Sequence, residues 1–113
     1  MLSPGDVVTV DFPGVTGVKR RPAIVVSTTT YHTHRPDVVV GILTSQTVSA
    51  TTPLDYLLQD WRAAGLYRPS AFRSFLATLP AVAAKPIGHC SERDWLAIQE
   101  CLARAMAFPA REL

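Results

Sequence analysis

Lys19-Arg20-Arg21-Pro22-Ala23-Ile24-Val25-Val26-Ser27 sets three adjacent cations ahead of a proline and then four apolar residues, three of them β-branched. β-Branched side chains suit a buried strand, and proline is tolerated at a strand's first position. The stretch therefore predicts a mobile basic loop feeding a rigid core strand over residues 23–27. Such a strand can hold a guanidinium at the edge of a cleft, where it could grip a phosphate.

Upstream, Pro4-Gly5-Asp6 reads as a turn. Val8, Val10 and Phe12 alternate with Val7, Thr9 and Asp11, which predicts a first strand ended by Pro13-Gly14. Residues 15–20 contain Gly17, have little periodicity and read as loop. Downstream, residues 28–37 are polar and loop-like. His32 and His34 lie there, two apart, with Asp37 the nearest acid. A metal needs more ligands than that, so the pair reads as surface histidines and no metal site is expected. Residues 38–43 are apolar enough for a central third strand, which Thr44-Ser45-Gln46 closes with three hydrogen-bonding side chains. Polar groups at the end of a buried strand are rigidly held and suit a site; the same three residues could simply begin a turn.

Two readings of residues 51–65 stand side by side. Leu54, Leu57, Leu58 and Trp61 fall at helical spacing behind Thr52-Pro53. Alternatively Asp55 to Leu58 is a strand and Asp60 caps a short helix ending at Gly65. Residues 71–79 predict a further strand, and residues 80–85 a short irregular or strand segment with Ile87 turned into the core. Ser91-Glu92-Arg93-Asp94 is a capping box, followed by Trp95, Ile98, Leu102 and Ala105 on one stripe before Phe108-Pro109 stops the helix. About five short strands and one terminal helix predict a mainly β fold: a small, strongly bent sheet or barrel with a helix laid across it.

A chain of 113 residues is one domain, 1–113. With 48% hydrophobic residues it can bury a core, although a chain this short often gains stability by dimerising. The net charge of +2 is too weak to identify a partner. Its distribution says more. No acid occurs over residues 12–36, which hold Lys19, Arg20, Arg21 and Arg35, nor over residues 61–91, which hold Arg62, Arg68, Arg73 and Lys85. Brought together, these spans would make a positive face suited to a polyanion; pointing apart, they are solvated surface. Cys90 and Cys101 lack any CxxC spacing and read as buried thiols of a reducing compartment. Neither a signal peptide nor a membrane span is expected, so the cytoplasm is the expected location.

Taken in order, Gly5-Asp6, Asp11-Phe12-Pro13, Arg21-Pro22-Ala23, Ile42-Leu43-Thr44-Ser45-Gln46, Ala64-Gly65-Leu66 with Pro69-Ser70 and Arg73, and Ile87-Gly88 resemble the MazF/PemK (Kid) family of type II toxins. The resemblance runs from residue 5 to about residue 106. It implies an SH3-like barrel with a C-terminal helix, and with that fold a strand at Asp55 to Leu58. It also implies a homodimer, a cognate antitoxin, and a metal-independent endoribonuclease acting on single-stranded RNA without a cofactor. Residue by residue, it implies catalytic roles for Arg21 and Thr44. Lys19, Arg20, Ser45, Gln46 and Arg73 would hold the RNA, and Arg73 matches a position that is catalytic in some members.

The chemistry agrees in kind. Without a metal, RNA is most easily cut by its own 2′-hydroxyl, which requires charge stabilisation on phosphoryl oxygens and two proton transfers. Arginine keeps its proton, so Arg21 is suited to the phosphate oxygens and the leaving group, and the Thr44 hydroxyl to phosphate binding. The sequence departs from the family at its acids: residues 15–20 hold none, and Phe75 stands where a second is found. His32, His34 or Asp37 could serve as base only if their loop folds over the site. Tyr31 and Tyr67 are the candidates for base stacking. The missing acids also motivate an alternative, a catalytically weak or inactive relative that binds a protein or poisons a gyrase-type target.

Overall fold

The β-branched run after Pro22 lies at the middle of an antiparallel sheet. The structure is a computed structural model that describes residues 1–14 and 17–108. Its strands are β1 (Asp6–Gly14), β2 (Gly17–Val25), β3 (Asp37–Thr44), β4 (Asp55–Leu57), β5 (Ala71–Pro80) and β6 (Lys85–His89). They lie in the order β4-β5-β3-β2-β1-β6, and every neighbouring pair is antiparallel. The sheet curls into a half-barrel with α2 (Glu92–Ala105) following it, the SH3-like fold that the resemblance implies. A short α1 (Thr29–His34) links β2 to β3.

Alternation along the strands sends neighbouring side chains to opposite faces. Val7, Ile24, Leu43 and Phe72 join Ile98 and Cys101 of α2 in one buried cluster. Val8, Val10, Ala23, Val25, Val38 and Val40 form a second. Strands buried on both faces read as unbroken apolar runs, which is why the pattern of β1 to β3 alternates so weakly.

The basic stretch is not a loop. Lys19, Arg20 and Arg21 belong to β2 and stand opposite Phe12, Asp11 and Val10 of β1. An exposed hairpin arm tolerates charge along its length, and the cross-strand Arg20–Asp11 pair at 2.9 Å favours this register. Of the residues read as loop, Val15 and Thr16 lie outside the described residues. Pro22 sits within β2 where pairing with β3 has just ended, since that ladder runs only from Ala23 to Val25. A residue without an N–H is accommodated at that point.

Three further expectations are corrected. Thr28 accepts a hydrogen bond from the Tyr31 amide at 3.2 Å and caps α1, so the polar segment contains a helix. Ile87 is 41% exposed rather than turned into the core. Asp60 caps no helix; residues 61–65 are turns, and its carboxylate accepts from the Ser91 hydroxyl at 2.6 Å and from both Arg93 donors at 2.6 and 2.7 Å. The strand reading of residues 55–58 holds for Asp55–Leu57. As a strand, it sends Tyr56 towards α2, where the phenol donates to Asp94 at 2.5 Å.

Ser91 caps α2 as its sequence predicts, accepting from the Asp94 amide at 3.3 Å. The Asp94 side chain does not return to the cap. It is fully buried and also accepts from the Gln59 amide at 3.0 Å and the Asp60 amide at 2.9 Å. The buried stripe of α2 is therefore Asp94, Ile98 and Cys101, with Trp95 and Leu102 half-buried and Ala105 exposed. Both cysteines are buried and free.

The Asp60 cluster makes stability depend on pH. Hydrogen bonds from Arg93 and Ser91 hold its carboxyl at about 2, below the roughly 3.9 of an unfolded chain. The folded value is depressed, so the contribution is present above pH ~4 and lost as pH falls towards 2. Urea midpoints at pH 5 and 2.5 should differ more for the wild type than for Arg93→Ala; equal differences would show that the cluster carries none of the acid sensitivity.

Candidate functional site

Beyond Pro22 the strands β2 and β3 are no longer paired, and a cavity of about 470 Å³ opens there. Lys19, Arg20 and Arg21 form one bank and Thr44, Ser45 and Gln46 the other. Gly65 to Arg68 close a third side, with Ile87 of β6 beside them. The β2–β3 register pairs Ala23 with Ile42 and Val25 with Val40. Continued outward, it sets Arg21 level with Thr44.

Arg21 is exposed, and among the described residues neither it nor Lys19 or Arg68 has a carboxylate within ion-pair distance. Arg20 is committed elsewhere: it pairs with Asp11 and reaches the Thr9 carbonyl at 3.4 Å. Thr44 is half-buried at the last position of β3. Its hydroxyl oxygen accepts from the Gln46 amide at 3.1 Å, which leaves the hydroxyl proton to donate to a ligand. Gln46 itself precedes a single 3-10 turn at Thr47–Ser49, and its carbonyl accepts from the Ser49 hydroxyl at 3.0 Å.

Six of the residues expected at a site thus line one cavity. Arg73 does not. It stands on β5, lines a separate groove with Thr52, Leu54 and Phe75, and pairs with Asp55 at 3.2 Å. Burial pushes the Asp55 carboxyl up, but hydrogen bonds from Thr52 and Arg73 outweigh it and hold the group below its usual value. Arg73 is therefore a partner for a buried carboxylate, beside the edge strand.

The candidate bases do not reach the cavity. Asp37 opens β3 and Thr44 closes it, so about 23 Å of extended chain separates them. α1 lies at the Asp37 end, where His32 is bonded to the Ser27 hydroxyl at 2.6 Å and the Leu2 carbonyl at 2.8 Å, and Tyr31 reaches Asp37 at 3.5 Å. Among the described residues no Asp, Glu or His lines the cavity. Nor do any three His, Cys, Asp or Glu side chains among them group closely enough to hold a metal ion.

Tyr67 and Arg68 are what the spacing alone could not place. The acid-free span 61–91 marks Arg68 as basic, but only the fold brings it beside Lys19 and Arg21. Two glycines make that approach feasible. A Cβ on Gly65, whose φ is +88°, would lie 2.5 Å from the Ile87 carbonyl oxygen; one on Gly88 would lie 2.1 Å from the Ala64 carbonyl oxygen. Both distances are well inside contact, so the loop rests on bare backbone of β6. Gly88→Ala must push the loop away, at an expected cost of about 2 kcal/mol or more. Thermal unfolding should show a lower midpoint, and amide exchange at residues 64–68 should rise; unchanged exchange there would mean that the loop does not depend on this contact.

The family described as PemK-like, MazF-like toxin of type II toxin-antitoxin system matches residues 3–106. No curated protein sequence matches significantly. Solved structures with the same fold include an endoribonuclease in complex with its cognate antitoxin from Mycobacterial species. It has 20% identity and a TM-score of 0.78, over 96% of this chain and 100% of that one. MazF in a MazE-MazF complex from Deinococcus radiodurans has 18% identity and a TM-score of 0.72, over 92% and 94%. The Mycobacterium tuberculosis toxin MazF-mt6 has 18% identity and a TM-score of 0.71, over 88% and 94%.

Proposed function

Because the chain belongs to the PemK-like, MazF-like toxins of type II toxin–antitoxin systems, we propose that it is an endoribonuclease cutting single-stranded RNA at short sequences through 2′-hydroxyl attack. The reading extends to a cytoplasmic homodimer held in check by a cognate antitoxin. Endoribonuclease activity and antitoxin complexes are named for proteins of the same fold. Among the described residues, no helix is long and apolar enough to cross a membrane.

The observation that carries the proposal is the shared cavity: Arg21, exposed and without a carboxylate partner among the described residues, lies across from Thr44. A phosphodiester seated between them receives N–H donors from one bank and an O–H donor from the other. The 2′ oxygen bonds to phosphorus, the bond to the 5′ oxygen breaks, and a cyclic phosphate and a 5′-hydroxyl result. Arg21 stabilises the charge that grows on the phosphoryl oxygens and on the departing 5′ oxygen. No carboxylate or imidazole among the described residues lines the cavity, so solvent takes the 2′ proton and supplies the 5′ one. Lys19 and Arg68 add positive potential along the strand.

Pure protein mixed with a long unstructured RNA in EDTA should release fragments whose 5′-hydroxyl ends accept a phosphate label directly. Intact RNA would remove the enzymatic reading. A second reading stays open on one observation, the absence of an acid or histidine from the described cavity walls. A binding module or gyrase-type poison would arrest growth without producing new RNA ends, and the arrest would survive Thr44→Ala.

A further inference from the structure

We propose that Tyr67 and Arg68 form a subsite for the nucleotide next to the scissile phosphate, the ring stacking on its base and the guanidinium holding its phosphate. The inference rests on the RNA-cleaving reading of the same cavity and names how the strand is gripped beyond the reacting group.

Tyr67 is 98% exposed, yet it stands on the cavity wall beside Arg68. An aromatic ring left almost wholly in water contributes nothing to the core, and an exposed ring beside a positively charged groove is one means by which proteins hold unpaired bases. The segment is rigid by its own bonds. The Ala64, Gly65 and Leu66 amides donate to the carbonyls of Asp60, Arg62 and Trp61 at 3.1 Å each, and the Ser70 hydroxyl donates to the Arg68 carbonyl at 3.0 Å. The backbone contact of Gly65 and Gly88 fixes it against β6. Leu66, between the loop's turns and the ring, is buried in the core and pins the segment from within.

Arg68 supplies the second component. It has no carboxylate partner among the described residues, and it lines the same cavity as Arg21 from the opposite loop. Two guanidiniums without a carboxylate partner among the described residues, around one cavity of about 470 Å³, match two successive phosphates better than one. A single phosphodiester group occupies only a small part of that volume, which leaves room for the adjoining nucleotide. Stacking tolerates any base and so adds affinity without fixing sequence.

The test uses the full chain and a short single-stranded RNA carrying 2′-deoxy sugars throughout its cleavable positions, so that binding is read without chemistry. Tyr67→Ala should weaken binding about tenfold or more, as loss of one stacked base does, while Tyr67→Phe should bind as the wild type. Arg68→Ala should weaken binding and flatten the dependence of log affinity on log salt by about 0.7, the increment for one phosphate on a single strand. On cleavable RNA, Tyr67→Ala should raise KM with little change in kcat. Equal affinity of Tyr67→Ala and wild type, or an unchanged salt slope for Arg68→Ala, would overturn the subsite. If the wild type binds the probe but cuts no RNA, the nuclease reading fails and the subsite stands or falls on binding alone. Weaker antitoxin capture by Tyr67→Ala with unchanged RNA affinity assigns the ring to a protein partner and overturns the proposal.

Discussion

Arg21→Ala is expected to lower the rate of RNA cleavage by about 10³-fold or more, the usual effect of removing a guanidinium aimed at developing phosphoryl charge. The fold should survive, because the side chain is exposed and bonds to nothing among the described residues. The loss should fall on kcat, since the donors bind the transition state more tightly than the ground state. Arg21→Lys should recover only a small part, because an ammonium keeps the charge but lacks the planar fork that grips two oxygens. Thr44→Val removes one hydroxyl donor of similar volume and should cost less than Arg21→Ala. Single-turnover cleavage of a defined RNA, with the melting temperature of each variant measured alongside, decides the matter. Full activity in a folded Arg21→Ala protein would leave the cavity without a catalytic role.

The largest effect on stability is expected at Asp94. Asp94→Ala removes the acceptor of three donors at once: the Tyr56 phenol and the Gln59 and Asp60 amides. Each buried donor left without a partner costs about 1–3 kcal/mol. The total should be about 4 kcal/mol, a large fraction of the roughly 5–15 kcal/mol that holds a small domain folded. Burial and the bond to Asp94 raise the Tyr56 hydroxyl to about 12, so it remains a donor at neutral pH. Tyr56→Phe loses that one donor and should cost about 1–2 kcal/mol. Chemical denaturation at neutral pH measures both. A midpoint for Asp94→Ala close to the wild type would mean that water replaces the carboxylate and that the network is not what ties α2 to the sheet. The same network fixes residues 59 and 60, from which the chain runs on to Tyr67 and Arg68, so Asp94→Ala should also weaken RNA binding.

Local patterns carried the strands of the core, the Ser91 cap and the strand end at Thr44, because each is decided by side chains a few residues apart. The β-branched run after Pro22 could hardly be anything but interior strand, and Arg21-Pro22 with Thr44-Ser45-Gln46 lie on the two banks of the cavity. Residues 17–22 misled, since exposed charge beside a glycine and a proline resembles loop. Pairing with β1, in particular Asp11 opposite Arg20, is what makes them strand. Ile87 likewise has the composition of a core residue but sits where β6 meets the cavity.

Chain order alone determined that this protein is a small β fold with a C-terminal amphipathic helix, with a threonine at a strand end and an arginine just ahead of a core run. Tertiary structure alone decided which cations share a cavity. Arg68 joined Lys19 and Arg21, while Arg73, attractive in sequence, went to the buried carboxylate of Asp55. The reason is physical. A strand's periodicity reports which face a side chain takes, but which loop lies across from it depends on contacts between distant backbones, such as Gly88 against Ala64.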